Sequence, residues 1–265
     1  VRQLLPKHDY VKRKSQKKAL GISKNRNEQF ENIAKIKTSF GKKGYPVISI
    51  DTKKKEAIGE YSRLEDSLYG KEPQITLDHD FKTKGSQTAV PHGIYDVKEN
   101  TGYITIGKSS DTSEFVCDNI KNWWLKIGVL LYPFAKYLLI LCDGGGSNSS
   151  RHYIFKEDLK KLAMLIGIDI RIAHYPPYCS KWNPIEHKLF PYVSKAIRGA
   201  NITSVKMLGE HIKRTKTKTG LSVQVTISKK TYHSGRKVQD GFKENMPIEF
   251  DEYLPKWNYV AKHYN

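Results

Sequence analysis

Asp51, Asp143 and Glu186 are the residues of this 265-residue chain whose types and placement could do chemistry. Asp51 ends the apolar run Pro46-Val47-Ile48-Ser49-Ile50, and Asp143 ends a second, Tyr137-Leu138-Leu139-Ile140-Leu141-Cys142. Both runs read as buried strands, which puts both carboxylates at strand tips. Glu186 lies in Asn183-Pro184-Ile185-Glu186-His187, where Asn183 can cap a helix and Pro184 suits its first turn. At about 100° per residue, Glu186 falls within the arc of Ile185, Leu189, Phe190, Val193, Ala196 and Ile197. A carboxylate turned towards a core is unfavourable unless it is paired or bound to a cation.

Carboxylates gathered at one point could hold two divalent ions. Such a pair activates a water or a 3′-hydroxyl and stabilises the leaving oxygen of an in-line phosphoryl displacement. Magnesium suits an all-oxygen set of few carboxylates completed by waters and substrate phosphates, with manganese as a substitute. Asp51 would bridge both ions, Asp143 would hold one and Glu186 the other. Each acid alone has an ordinary alternative: a turn or cap for the aspartates, and a capping box with Asn183 for Glu186.

The elements that must position these acids follow from periodicity and turn residues. Residues 27–40 read as an amphipathic helix carrying Phe30, Ile33, Ile36 and Phe40, and residues 47–51 as the first strand. Residues 52–87 are a polar excursion. Residues 88–97 and 103–107 form a hairpin across Asn100 and Gly102. Asp111 can cap a helix bearing Phe115, Ile120, Trp123, Trp124 and Ile127. The strand ending at Asp143 leads to a helix over 150–166, a strand over 169–174, the Pro176-Pro177 turn and the helix of Glu186. Pro191 lies inside that last helix and should kink it, more than a turn beyond Glu186. Three strands, helix, strand, helix, strand, helix predict an α/β mixed sheet flanked by helices. This is the order of the ribonuclease H-like fold, with the acids on its first strand, fourth strand and final helix.

The formal net charge of +19 is uneven. Residues 1–45 carry 13 basic and 3 acidic side chains, and residues 200–240 carry 9 and 2, whereas residues 46–199 are nearly balanced at 21 and 18. The division that follows is a basic N-terminal segment over 1–45, a catalytic domain over 46–199 and a basic C-terminal extension over 200–265. Basic arms suit a polyanion, since each neutralised phosphate releases counterions; solvated surface lysine is the other reading. No apolar run approaches the roughly 20 residues that span a bilayer. Cys117, Cys142 and Cys179 are far apart and show no metal-ligand spacing, as expected of buried thiols in a reducing compartment. The location expected is cytoplasmic, on the nucleoid, without a membrane partner.

At these residues the chain resembles the DDE transposases of bacterial insertion sequences, in particular their ISAzo-type (Rhodopirellula-type) group. The resemblance runs from about residue 25 to 259. Its carriers are Pro46 to Glu56, Ala89-Val90-Pro91-His92-Gly93-Ile94-Tyr95-Asp96, Asp143-Gly144-Gly145-Gly146-Ser147-Asn148, Ser180-Lys181-Trp182-Asn183-Pro184-Ile185-Glu186-His187, Thr217-Lys218-Thr219-Gly220-Leu221 and Lys256-Trp257-Asn258-Tyr259. It implies that Asp51, Asp143 and Glu186 form a catalytic triad, with magnesium-dependent cleavage at element ends and transfer of the freed 3′-hydroxyl into target DNA. It also implies a homo-oligomer in the synaptic complex. Pro184 stands where the family more often has a basic residue. The chain opens without methionine, and of the family's N-terminal helix-turn-helix it is expected to hold at most the last piece.

Around the acids, Lys53, Lys54 and Lys55 either touch phosphates or are exposed as any strand end would be. Asn148, Lys181 and Trp182 are candidate DNA contacts, with packing against the sheet the alternative for Trp182. Lys213, Arg214, Lys216 and Lys218 are the candidate contacts of the C-terminal arm. The triple glycine after Asp143 lacks the Gly-Lys-Ser/Thr ending of a P-loop and suits close backbone approach of DNA or of metal-bound phosphate. His187, about 100° from Glu186 on the helix, belongs at the rim. Two other functions share these features: a structure-selective nuclease on the same fold, and a truncated or domesticated transposase that binds DNA without cutting it.

Overall fold

The computed structural model describes residues 24–61 and 87–264. The basic residues Arg13, Lys14, Lys17 and Lys18 and most of the polar excursion after residue 52 lie outside the described residues.

Helix α1 (Arg26–Lys42) leads into β1 (Val47–Thr52), the short β2 (Glu56–Ala57) and the hairpin β3 (Thr88–Asp96) and β4 (Thr101–Gly107). Asn100 takes the left-handed conformation, φ 51°, that the hairpin turn demands. Then come α2 (Ser113–Trp123), α3 (Val129–Leu131), β5 (Tyr137–Cys142), α4 (Tyr153–Ile166), β6 (Asp169–His174), α5 (Pro184–Lys188), α6 (Phe190–Ala196) and α7 (Val205–Lys213). Strand β7 (Ser222–Ile227), α8 (Phe242–Asn245), β8 (Glu249–Phe250) and β9 (Asn258–Ala261) complete the chain.

The strands form one sheet in the order β7-β4-β3-β1-β5-β6-β9-β8, with β2 beside β3. Strands β4, β3 and β1 are antiparallel neighbours, while β1, β5 and β6 are parallel. This inner set is the ribonuclease H-like arrangement expected from the element order. The central strands read as unbroken apolar runs because both faces are covered. Ile48, Ile50, Leu138, Ile140 and Cys142 pack under α2 and α4, against Val116, Ile120, Phe155 and Leu159. On the other face, Val47, Leu139 and Leu141 meet Ile33 of α1. Beside them, Tyr95, Ile104 and Ile106 meet Ile185, Leu189, Val193 and Leu208 of the α5–α7 region.

Several local expectations are corrected. Thr112, not Asp111, caps α2, its hydroxyl accepting from Phe115 N. The turns beyond Trp123 widen into a π-helical segment, Trp124–Gly128, before α3. The expected single last helix is two, α5 and α6, broken at Leu189 (φ −122°, ψ −59°), with Pro191 in the first turn of α6. Proline is tolerated in a first turn, so the break removes the clash that a continuous helix would suffer. Residues 200–265, for which the sequence reading named no elements, supply strands to both sheet edges: β7 runs parallel to β4, and β9 antiparallel to β6. The three cysteines are free and buried. Among the described residues, no helix is long and apolar enough to cross a membrane.

Candidate active site

Strand alternation decides which way the acids face. Asp51 is two residues beyond Ser49 and shares its face, and Asp143, one past Cys142, returns to the face of Leu139 and Leu141. The parallel register pairs Val47 with Leu139 and Ser49 with Leu141. Two residues further on, it brings Asp143 alongside Asp51.

Ser49 also fixes the third acid. Its buried hydroxyl accepts from Ile185 N at 2.9 Å and donates to Asn183 Oδ1, while Asn183 Nδ2 donates to Ile50 O at 3.1 Å. The orphan amide of the α5 start is thus met by a hydroxyl on β1, and Asn183 makes no side-chain cap. This clasp sets Glu186 against the strand that carries Asp51. The sheet makes room for it with glycine. Gly93 pairs with Asp51 across β1 and β3, and a Cβ there would stand 2.7 Å from Ile185 Cδ1 and 2.8 Å from Phe190 Cε1. At Gly102 a Cβ would stand 2.5 Å from Leu189 Cδ1.

The electrostatics are those of crowded acids. Asp51 is pushed from 3.8 up to about 9, first by burial, then by the charge of Asp143 and by a hydrogen-bond contact with the Glu186 carboxyl. Against these stands one donor, the Thr52 amide at 2.8 Å. Asp143 is also raised, by burial, and is partly relieved by Gly145 N. The acids therefore meet at Asp51. Among the described residues, no three His, Cys, Asp or Glu side chains are gathered closely enough to hold a metal ion as they stand. An open, all-oxygen set of mutually repelling carboxylates fits a hard cation that keeps places for water and substrate oxygens, and a closed cage would not.

The other candidates are distributed unevenly. Lys54 and Lys55 are exposed just beyond Asp51, whereas Lys53 is partly buried and pairs with Glu56 at 2.5 Å. Lys181 and Trp182 are exposed one turn before α5; the ammonium of Lys181 lies 5.5 Å from the Trp182 ring centroid, and that ring meets Phe30 of α1 edge-on. His187 is exposed at the rim. Asn148 is buried, so its side chain is not a surface contact in this arrangement, and its Oδ1 has no hydrogen-bond partner among the described residues. Lys213, Arg214, Lys216 and Lys218 are exposed but stand apart from the acids. Thr219, just before β7 and so three strands across from β1, accepts through its carbonyl oxygen from Asn100 in the β3–β4 turn, at the end of the sheet opposite Asp51. Strand spacing and rise put that arm roughly 15–20 Å or more from Asp51. Part of the remaining basic surface is already paired: Lys230 with Glu114 and Asp118, and Arg236 with Asp158.

Sequence reading missed one acid at the site. Asp111 Oδ1 accepts from Thr52 Oγ1 and from Ser147 Oγ, both at 3.1 Å, tying the residue after Asp51 to the loop after Asp143. The cap signal at residues 111–112 was real, but it belonged to the neighbouring threonine. His174, which contacts the main chain of Asp143, and Tyr259, which contacts His174, were not singled out as site residues, although Tyr259 stands in the Lys256-Trp257-Asn258-Tyr259 motif.

The model of the Rhodopirellula transposase DDE domain matches residues 1–263. No curated protein matches the sequence. Among solved structures, the Mos1 transposase paired-end complex with left transposon end is 13% identical, with a TM-score of 0.50. The Mos1 strand transfer complex and the pre-cleavage Mos1 transpososome are each 12% identical, also with TM-scores of 0.50. These alignments cover 79% of this chain and 59–60% of each Mos1 chain, so this chain spans about three-fifths of the length of those proteins. At such identity the likeness is one of fold.

Proposed function

The chain belongs to the Rhodopirellula transposase DDE domain family, and on that premise we propose that it cleaves DNA at insertion-sequence ends and joins the freed 3′-hydroxyl to target DNA, with Asp51, Asp143 and Glu186 as its catalytic carboxylates. The observation that carries this reading is the convergence on Asp51: three acids from β1, the end of β5 and α5 are crowded where burial first, and then the neighbouring acids, raise the Asp51 pKa. Crowding of this kind is unfavourable in the free chain and becomes favourable when cations share the oxygens.

Two magnesium ions, or manganese in their place, would be held by Asp51, Asp143 and Glu186 and would supply charge stabilisation to the attacking and leaving oxygens. The chain's own residues do the rest. The Ser49–Asn183 clasp and Gly93 hold Glu186 against β1, and Asp111 holds the loop after Asp143. Burial of the acids lowers the local dielectric and strengthens their interaction with any cation. Gly144 and Gly145 leave backbone beside Asp143 open to a phosphate, and Lys54, Lys55 and Lys181 supply positive charge at the rim. DNA is the partner. More than one copy would act at paired ends.

The test is cleavage and strand transfer on DNA carrying the element's own ends, with magnesium or manganese, for this chain and its Asp51→Ala variant. Metal-dependent joining that is lost in the variant supports the reading. Tight DNA binding by the unaltered chain with no cleavage in either metal sinks it.

A further inference from the structure

The motif Lys256-Trp257-Asn258-Tyr259 has no part in the chemistry proposed above, although Tyr259 is fully buried more than a hundred residues after Asp143. Strand β9 explains its position. It pairs with β6 so that Tyr259 lies opposite Ile172 and Asn258 opposite Ala173. Tyr259 OH thereby reaches His174 Nε2 at 2.9 Å, and on the other side of the same ring His174 Nδ1 lies 3.1 Å from the main-chain carbonyl oxygen of Asp143.

The chemistry of the partners fixes the direction of this chain. A carbonyl oxygen can only accept, so Nδ1 carries the proton and donates to Asp143 O. The neutral ring then has Nε2 as an acceptor, and Tyr259 OH donates to it. The opposite tautomer would set two lone pairs against each other at Asp143. The His174 ring is fully buried, and its Nδ1 also lies 3.3 Å from Cys142 Sγ, immediately before the acid, where the sulfur is a second, weaker acceptor for the same Nδ1–H. The imidazole sits beneath the backbone at which β5 ends and the Asp143 loop begins.

We infer that Tyr259 and His174 are positioning residues, a buried hydrogen-bonded tether that sets the backbone of Asp143 and so the direction of its carboxylate towards Asp51. The inference rests on the catalytic assignment of Asp143 given above. Asn258 of the same motif acts elsewhere, exchanging hydrogen bonds with Gln29 of α1, and Gln29 also donates to His174 O. Tyr259 is the residue of the motif that is joined through the His174 ring to the Asp143 main chain.

The test uses the full chain and Tyr259→Phe, which removes only the hydroxyl, together with His174→Asn and His174→Leu. In His174→Asn, Nδ2 stands near the former Nδ1 and can still donate to the Asp143 carbonyl; leucine cannot. Mn²⁺ binding is followed by electron paramagnetic resonance without DNA, the His174 tautomer by ¹⁵N-histidine NMR, and folding by thermal denaturation. The unaltered chain should show the Nδ1–H tautomer. Tyr259→Phe should mix the tautomers and weaken Mn²⁺ binding roughly tenfold, as loss of an outer-shell partner does. His174→Asn should bind Mn²⁺ more tightly than His174→Leu, and this pair decides the matter if Tyr259→Phe fails to fold. Unchanged Mn²⁺ binding in a folded Tyr259→Phe, or equal binding by the two His174 variants, overturns the tether. A full chain that binds Mn²⁺ yet joins no DNA ends overturns the proposed function and leaves the tether standing.

Discussion

Asp51 and Asp96 are both partly or wholly buried aspartates on neighbouring strands of one sheet, near opposite ends of the β1–β3 pairing, and both have carboxyls raised first by burial. Their surroundings differ. Asp96 is fully buried and accepts from Tyr132 OH at 2.9 and 3.0 Å and from the amides of Lys98 and Glu99 at 3.1 Å. Among the described residues, Asp51 has one amide donor and two neighbouring acids. Burial alone therefore does not mark a functional carboxylate. A buried acid surrounded by donors holds a turn in place, and a buried acid surrounded by acids calls for a cation.

The largest expected effect is on cleavage. Asp143→Asn or Glu186→Gln should reduce it by more than about a hundredfold, beyond the usual loss of an outer-shell partner, while nonspecific DNA binding in a gel-shift assay stays nearly intact. Asp96→Ala should do the reverse. It leaves Tyr132 OH unpaired, which costs roughly 1–3 kcal/mol of stability in a denaturant titration, with cleavage by the folded fraction retained. Equal loss of cleavage and DNA binding in the Asp143 variant counts against the metal-site assignment.

Next is the support beneath Glu186. Gly93→Ala places a methyl group against Ile185 and Phe190 on either side of the acid. A shift of about 1 Å in α5 should slow cleavage on the order of a hundredfold. A cleavage rate equal to that of the unaltered chain would show that α5 is free to settle elsewhere.

A smaller effect concerns pH. The folded-state pKa of Asp51 lies above its unfolded value, so between about 4 and 9 the folded cation-free chain holds a proton that the unfolded chain has lost. Its contribution to stability is present at low pH and is lost as pH rises through that window. Asp51→Asn should flatten this fall in thermal midpoint and raise the midpoint near pH 8, by about 2–4 °C for each kcal/mol of repulsion removed. A midpoint lower than that of the unaltered chain at pH 8 would place Asp51 with Asp96 among the well-partnered acids.

Smallest is the arm at the far end of the sheet. Neutralising Lys213, Arg214, Lys216 and Lys218 should reduce the salt slope of DNA binding by roughly one unit for each phosphate that is no longer neutralised. Cleavage at low salt should change little, because the arm stands away from the acids. An unchanged slope removes it from the DNA path.

The sequence carried the frame of the molecule because strands buried on both faces leave long apolar runs that end visibly, as at Asp51 and Asp143. Alternation along those runs then decides which face each acid takes. The break at Leu189 was half visible: Pro191 announced a kink, but the restart of the helix depends on Phe190 and Val193 packing against β3 and β4. The rest depends on partners far apart in sequence. Ser49 meets Asn183 across 134 positions, and Tyr259 meets His174 across 85. Neither pair leaves a periodic trace. Strand β7 was hidden by its alternating polar face, with Val223 buried and Gln224 exposed, inside a stretch read for its charge. That charge likewise gave no hint that Lys213 to Lys218 would lie at the end of the sheet opposite Asp51.

The most direct test of the central claim is Mn²⁺ binding by the full chain at about pH 7.5, where the cation must displace the proton that Asp51 holds in the free chain, measured by titration calorimetry beside Asp51→Asn and Asp96→Asn. Binding by the unaltered chain and by Asp96→Asn, with loss of binding in Asp51→Asn, is the predicted result. Binding that survives unchanged in Asp51→Asn would contradict the claim that the three acids form one cation-binding centre.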